Sequence, residues 1–165
     1  MSKTFWEQRW YFAAVTLMCA GFISYALYVQ YVEYLDPCPL CVFQRAAYMV
    51  VGLIAFIGFI HGSKSGKVRV YQALQSVAAA TGAGIAAWHV YIQHLPADEV
   101  PDCGPGLSYM LDSFPLLDTL KMVFTGSGEC AEVVWTFLGL SMPEWSLICF
   151  VGLMVSVWIF VKPKA

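Results

Sequence analysis

The sequence predicts an all-α membrane protein, a bundle of four transmembrane helices with two extracytoplasmic loops, the second long and carrying a short interfacial helix. Three observations predict it. Of 165 residues, 59% are hydrophobic and only 12% are charged, and the mean hydropathy is +0.65, which is more apolar surface than a soluble domain of this size can hide. The charges fall between runs long enough to cross a bilayer, which takes about 20 apolar residues per helix. Those runs are continuous rather than alternating, and a barrel needs many more segments, so strands are set aside as spanning elements.

Residues 1–165 read as a single membrane domain. The spans cover about 10–31, 42–60, 70–92 and 145–161. The first lacks a small-residue cleavage site after a short core and is read as a retained span rather than a signal peptide. Between the spans lie extracytoplasmic loops at about 32–41 and 93–144 and a cytoplasmic loop at about 61–69. Lys and Arg near span ends set this orientation. Lys3 and Arg9 precede the first span, Lys64, Lys67 and Arg69 fill the middle loop, and Lys162 and Lys164 follow the last, with only Arg45 and Lys121 opposite. Both termini are therefore expected in the cytoplasm. With a net charge of -2 and no basic cluster beyond residues 64–69, nucleic acid is not an expected partner.

The third span carries Ala78, Ala79, Ala80, Gly82, Ala83, Gly84, Ala86 and Ala87, small residues that let a neighbouring helix approach closely. In the long outer loop, Leu116, Leu117, Leu120, Val123 and Phe124 recur at three- and four-residue intervals, as on a helix lying flat at the membrane surface. Two Pro- and Gly-rich parts, Pro101 to Gly106 and Thr125 to Cys130, flank that helix and are expected to be mobile.

Four of the six cysteines, Cys38, Cys41, Cys103 and Cys130, fall on the extracytoplasmic side, in an oxidising compartment where disulfides persist. The pair in Pro37-Cys38-Pro39-Leu40-Cys41 has the spacing of a redox dithiol, of half a zinc site or of a static disulfide. Its position favours redox chemistry. Pro37 and Pro39 restrict the backbone before a helix that starts near Cys41, and a helix N-terminus favours a thiolate. Arg45, one turn further and about 6 Å along the axis, adds a fixed positive charge. Cys103 and Cys130 read equally well as a loop staple or as an exchangeable exposed disulfide. Cys19 and Cys149 lie within spans and read as small packing residues.

Arg45 either snorkels outward or faces the bundle interior and binds a polar group dissolved in the membrane. His89 lies at a comparable depth in the third span. Such a histidine is either a hydrogen-bonded packing residue or, with Arg45, a donor to a carbonyl oxygen, for which a quinone is the obvious lipid-soluble electron acceptor.

The block at residues 37–45, His89, Cys103, Gly128-Glu129-Cys130-Ala131-Glu132 and the run from Trp135 to Trp145 together resemble the DsbB family over essentially the whole chain. The resemblance implies a multi-pass enzyme of the bacterial inner membrane, with periplasmic active-site loops. It implies reoxidation of a periplasmic DsbA-like thioredoxin-fold thiol oxidase, with electrons passed to ubiquinone or menaquinone in support of disulfide bond formation. In the implied route the partner attacks a Cys103–Cys130 disulfide and is held on Cys103. The freed Cys130 then exchanges with Cys41 of a Cys38–Cys41 disulfide, and electrons leave through Cys41. Arg45 and His89 are implied beside the quinone, with Gln44 and Met142 as pocket neighbours.

Two other readings carry different expectations. A binding module holding zinc through the outer cysteines is disfavoured, because Cys103 and Cys130 form no second Cys-Xaa-Xaa-Cys knuckle, and no metal is expected. A structural protein with two static disulfides requires all four outer cysteines to stay oxidised.

Overall fold

The computed structural model describes residues 3–61, 65–96, 98–100, 109, 112–125 and 128–161, with side chains at 3–5, 65–67 and 116 excepted. Among them are helices α1 (Lys3–Tyr31), α2 (Pro39–His61), α3 (Ser65–Gln93), α4 (Leu116–Thr125), α5 (Gly128–Ala131) and α6 (Met142–Phe160). A two-stranded hairpin, β1 (Thr136–Phe137) with β2 (Leu140–Ser141), precedes α6.

Among the described residues, three helices are long and apolar enough to cross a membrane, over Trp6–Tyr31, Pro39–His61 and Met142–Phe160. Helices serve this purpose because they satisfy their own backbone polar groups where no water can. Helix α3, at 29 residues, is about 43 Å long at 1.5 Å per residue, but polar residues dilute its apolar sequence. Several of those polar residues point inward. Gln72 and Gln75 are buried; Gln72 Nε2 donates to Val161 O at 2.6 Å, the carbonyl that ends α6. Gln75 Nε2 donates to the Tyr11 hydroxyl at 2.8 Å, which pairs with Ser156 Oγ at 3.0 Å. The outward face of α3 is apolar, with Val70, Leu74, Val77, Trp88 and Tyr91 exposed.

The four long helices pack in sequence, α1 on α2, α2 on α3 and α3 on α6, with α1 and α6 touching more lightly. Small residues set the spacing, as glycine and alanine do wherever helix backbones approach in lipid. Gly82 lies under the Phe150 ring, Gly52 against Cys19 and Gly58 against Phe12. The Phe150 ring in turn stacks on Tyr48, with centroids 4.1 Å apart.

The start of α2, the end of α3 and the start of α6 meet at one end of the bundle. Leu40, Ile92 and Val123 form a second apolar cluster there with Cys38 and Cys130. Helix α4 is held to this end by Val123 and by Trp88 Nε1, which donates to Phe124 O at 3.0 Å. Leu117 on its other side is exposed. Protein contacts, rather than a lipid surface by itself, thus fix one face of the expected interfacial helix.

The hairpin turns at Leu138 (φ 53°) and Gly139 (φ 82°). Two successive positive φ values fit the tight turns that match strand twist. Leu138 carries strain that glycine avoids. The hairpin sets the entry to α6, where Trp145 Nε1 donates to Phe137 O at 3.0 Å. Glu144, three residues into α6, accepts from the Ser141 backbone N–H at 2.6 Å, one half of a capping box. Ser141 Oγ donates to Gln93 Oε1 at 2.8 Å and ties this start to the end of α3.

Candidate active site

Cys38 sits directly before α2, and its carbonyl accepts the first intrahelical bond, from Val42 N at 3.2 Å. Pro39 then occupies the first helical position, where a missing N–H costs nothing and the ring-fixed φ is already helical. The helix therefore begins at Pro39, with Cys41 inside its first turn among the amides that have no intrahelical acceptor. Cys38 Sγ–H donates to Cys41 Sγ at 3.2 Å. That separation is longer than the about 2.05 Å of a disulfide, and the two sulfurs are adjacent but unbonded in this structure.

His89, 2% exposed, lies against this pair. Its Nε2 is 3.1 Å from Cys130 O and 3.7 Å from Cys38 Sγ, and its Nδ1 is 3.0 Å from Gln44 Nε2. A carbonyl oxygen can only accept, so Nε2 carries the proton. In the neutral ring Nδ1 is then bare and accepts from the Gln44 amide. Arg45 does not snorkel. Its Nη1 donates to Gln30 Oε1 and its Nη2 to Ala26 O at 3.2 Å, both on α1. Both partners are neutral, so the guanidinium field is not cancelled by these contacts.

Two cavities meet at this point. A polar cleft of about 670 Å³ is lined by Cys38, Cys41, Arg45, His89 and Gln93, by Asp36, Glu129 and Glu132, and by Trp135, Met142 and other residues of the loop ends. A smaller slot of about 210 Å³ runs between α1, α2 and α6. Its walls are Phe22, Ile23, Tyr25, Ala26, Tyr48, Trp135, Phe137, Trp145 and Cys149, with Cys41, Gln44, Arg45, Met142 and Ser146 completing the lining. Cys41, Arg45, Trp135 and Met142 line both.

The site residues expected from the sequence thus fall into two groups. Cys41, Gln44, Arg45 and Met142 surround the slot, whereas His89 faces the cleft and reaches the slot wall only through Gln44. Cys130 is brought into the same cluster as Cys38. At 1% exposure it is docked rather than carried on a loose flank. Cys103, together with the remainder of 101–108, lies outside the described residues, as do Gly126, Ser127, Lys64, Lys162 and Lys164. Sequence reasoning missed the aromatic walls Trp135, Phe137 and Trp145, the Arg45 partners Gln30 and Ala26, and the place of Cys149 on the slot. Only the Leu138-Gly139 pair before Ser141-Met142-Pro143-Glu144 signals the hairpin in advance.

A helical bundle with a cysteine pair at its end, open to a polar cleft and an apolar slot, defines a membrane protein of thiol redox chemistry. Comparison with known proteins agrees. The family described as "Disulfide bond formation protein DsbB" matches residues 8–160. The chain is 48% identical to Disulfide bond formation protein B of Nitrosococcus oceani over 91% of its own length and 89% of the relative. It is 52% identical to the proteins of that name from Methylococcus capsulatus (83% and 84% of the two chains) and Saccharophagus degradans (85% and 85%). The chain belongs to the DsbB family, and is a helical membrane oxidoreductase of disulfide formation.

Proposed function

We propose that this chain is a thiol:quinone oxidoreductase of the bacterial inner membrane. It reoxidises a periplasmic DsbA-like thioredoxin-fold thiol oxidase by disulfide exchange and passes the electrons to membrane quinone. The observation that carries this reading is that Cys41 lines both the cleft and the slot. One sulfur is open to thiol exchange on one side and to a lipid-soluble acceptor on the other.

The exchange runs as a relay of thiolate attacks, each forming one S–S bond and breaking one. A partner thiolate attacks the Cys103–Cys130 disulfide, stays bonded to Cys103 and releases Cys130 as thiolate. Cys130 packs in the cluster that holds Cys38. Attack at Cys38 breaks the Cys38–Cys41 bond and leaves Cys41 as the thiolate, facing the slot. The family resemblance implies that Cys130 exchanges at Cys41. That exchange leaves the thiolate on Cys38, which is not among the slot residues, so attack at Cys38 is the productive one. The second partner thiol then resolves the mixed disulfide, freeing Cys103, which attacks Cys130 and restores their bond. The two electrons of the partner now reside on the Cys38/Cys41 dithiol.

The slot fits a quinone by the chemistry of its lining. Aromatic rings supply apolar walls for a planar ring, and Arg45, the one charged residue of the lining among the described residues, offers a donor to a carbonyl oxygen. A quinone bound there, ubiquinone or menaquinone, supplies the two-electron, two-proton acceptor that returns the dithiol to the disulfide. Arg45 lies on both cavities, so its charge serves the Cys41 thiolate and the slot alike. His89 holds the Cys38 side of the pair.

In this reading α3 is the fourth span, supported by its apolar outward face and inward glutamines. The sulfur-bearing end faces the periplasm and both termini the cytoplasm, on the Lys and Arg distribution. Purified protein supplied with a reduced thioredoxin-fold partner should reduce quinone, and Cys41→Ser should abolish turnover. Turnover by Cys41→Ser at the unsubstituted rate sinks the reading.

A further inference from the structure

Cys38, Cys41 and His89 bring two thiol sulfurs and an imidazole nitrogen within 4.8 Å of one another. We propose that this triad, in its dithiol state, is a zinc site that locks the reduced enzyme. The site exists in only one of the two redox states the pair visits. Oxidation to the disulfide removes both sulfur ligands at once, so zinc binds the dithiol, releases its two protons and holds it out of reach of thiol exchange.

The geometry suits a tetrahedral d¹⁰ cation. With Zn–S about 2.3 Å and Zn–N about 2.0–2.1 Å, tetrahedral angles set the sulfurs about 3.8 Å apart and each sulfur about 3.6 Å from the nitrogen. The observed separations are 3.2 Å for Cys38 Sγ to Cys41 Sγ and 3.7 Å for Cys38 Sγ to His89 Nε2. The sulfur pair must open, and the remaining edge, Cys41 Sγ to His89 Nε2, lies within 4.8 Å and closes by side-chain rotation. The fourth position opens on the cleft, which is lined by Glu129 and Glu132 and gives the ion both an entry path and water or a carboxylate as last ligand.

His89 changes roles by giving up its bond to Cys130 O and tilting toward the two sulfurs. As a ligand Nε2 gives up its proton, the ring takes the other tautomer, and Nδ1–H needs an acceptor. Gln44, whose Nε2 is 3.0 Å from Nδ1, presents its Oε1 instead once the side-chain amide turns over. Zinc-bound histidines are oriented by such an acceptor on the other nitrogen. The sequence favours no metal at Cys38 and Cys41, because the third ligand lies in another helix and no spacing announces it.

Binding itself does not depend on the proposed quinone chemistry, since a chemical reductant also makes the dithiol. The test is cobalt titration of the detergent-purified chain carrying Cys103→Ser and Cys130→Ser. The reduced protein should take up one Co²⁺ per chain, with sulfur-to-cobalt charge-transfer bands and the d–d bands of a tetrahedral site, bleached by Zn²⁺. The same preparation oxidised to the Cys38–Cys41 disulfide should show none. His89→Ala should weaken the affinity at least tenfold, and Cys19→Ala with Cys149→Ala should leave it unchanged. Absence of bands in the reduced chain, equal bands in the oxidised chain, or an unchanged affinity in His89→Ala overturns the proposal. The contrast between oxidised and reduced samples of one chain decides the matter even if the His89 variant fails to fold. Failure of cobalt binding leaves the quinone assay untouched, and failure of quinone reduction leaves cobalt binding untouched.

Discussion

The Gln44 amide nitrogen lies 3.0 Å from His89 Nδ1, and this contact fixes which ring nitrogen faces the sulfurs. With Nδ1 occupied as acceptor, the protonated Nε2 is directed at Cys130 O and the edge of Cys38 Sγ. Gln44→Leu removes the donor and strands a buried nitrogen, which costs about 1–3 kcal/mol. The expected outcome is a lower unfolding temperature in detergent together with slower exchange between the two cysteine pairs. Thermal unfolding and single-turnover thiol trapping read these separately; a wild-type exchange rate removes Gln44 from the site.

Arg45 bridges Gln30 and Ala26 with two nitrogens of a planar fork, a geometry lysine cannot reproduce. Arg45→Lys should therefore raise the apparent KM for quinone at least tenfold. Disulfide exchange between the cysteine pairs, followed without quinone, should stay within about twofold, since Cys38 and Cys130 are packed independently of the guanidinium. An unchanged KM contradicts the assignment of Arg45 to the acceptor.

Gly82 and Gly84 lie two residues apart on α3 with opposite surroundings. A Cβ on Gly82 would stand 2.5 Å from Phe150 Cε1, whereas one on Gly84 meets nothing within 4 Å. Phe150 is held in turn by its stack on Tyr48, so it cannot yield cheaply. Gly82→Ala should destabilise the bundle by about 1–3 kcal/mol through overpacking. Gly84→Ala should be neutral or stabilise by up to about 1 kcal/mol, because alanine is the better helix former. Unfolding midpoints in one detergent compare the two directly.

The turn of the hairpin places Trp135 and Phe137 on the slot. Gly139, at φ 82°, occupies a conformation a β-branched residue resists. Gly139→Val should disorder this wall and raise the KM for quinone while sparing cysteine exchange. Leu138→Asn should relax the strained neighbour, since asparagine tolerates positive φ, and should leave the KM unchanged. Equal KM values for Gly139→Val and the unsubstituted protein remove the hairpin from the acceptor site.

By itself the sequence determined the elements and their chemistry. Apolar runs of bilayer length make helices because the backbone must satisfy itself in lipid. Pro39 after Cys38 starts a helix with Cys41 in its first turn, and this much is local. The small residues of the third span marked a helix approach that the structure realises at Gly82 and not at Gly84. The tertiary structure decided which side chains meet. The sequence puts His89 and Arg45 at a comparable depth along their helices. His89 meets Cys38 and the cleft, while Arg45 reaches α1 and lines both the cleft and the slot. Packing such as Gly82 under Phe150 helps fix which faces meet. That packing depends on side-chain volumes on neighbouring helices, a non-local quantity. The docking of Cys130 through its backbone carbonyl on His89 is non-local in the same way. A backbone acceptor leaves no mark in residue identity.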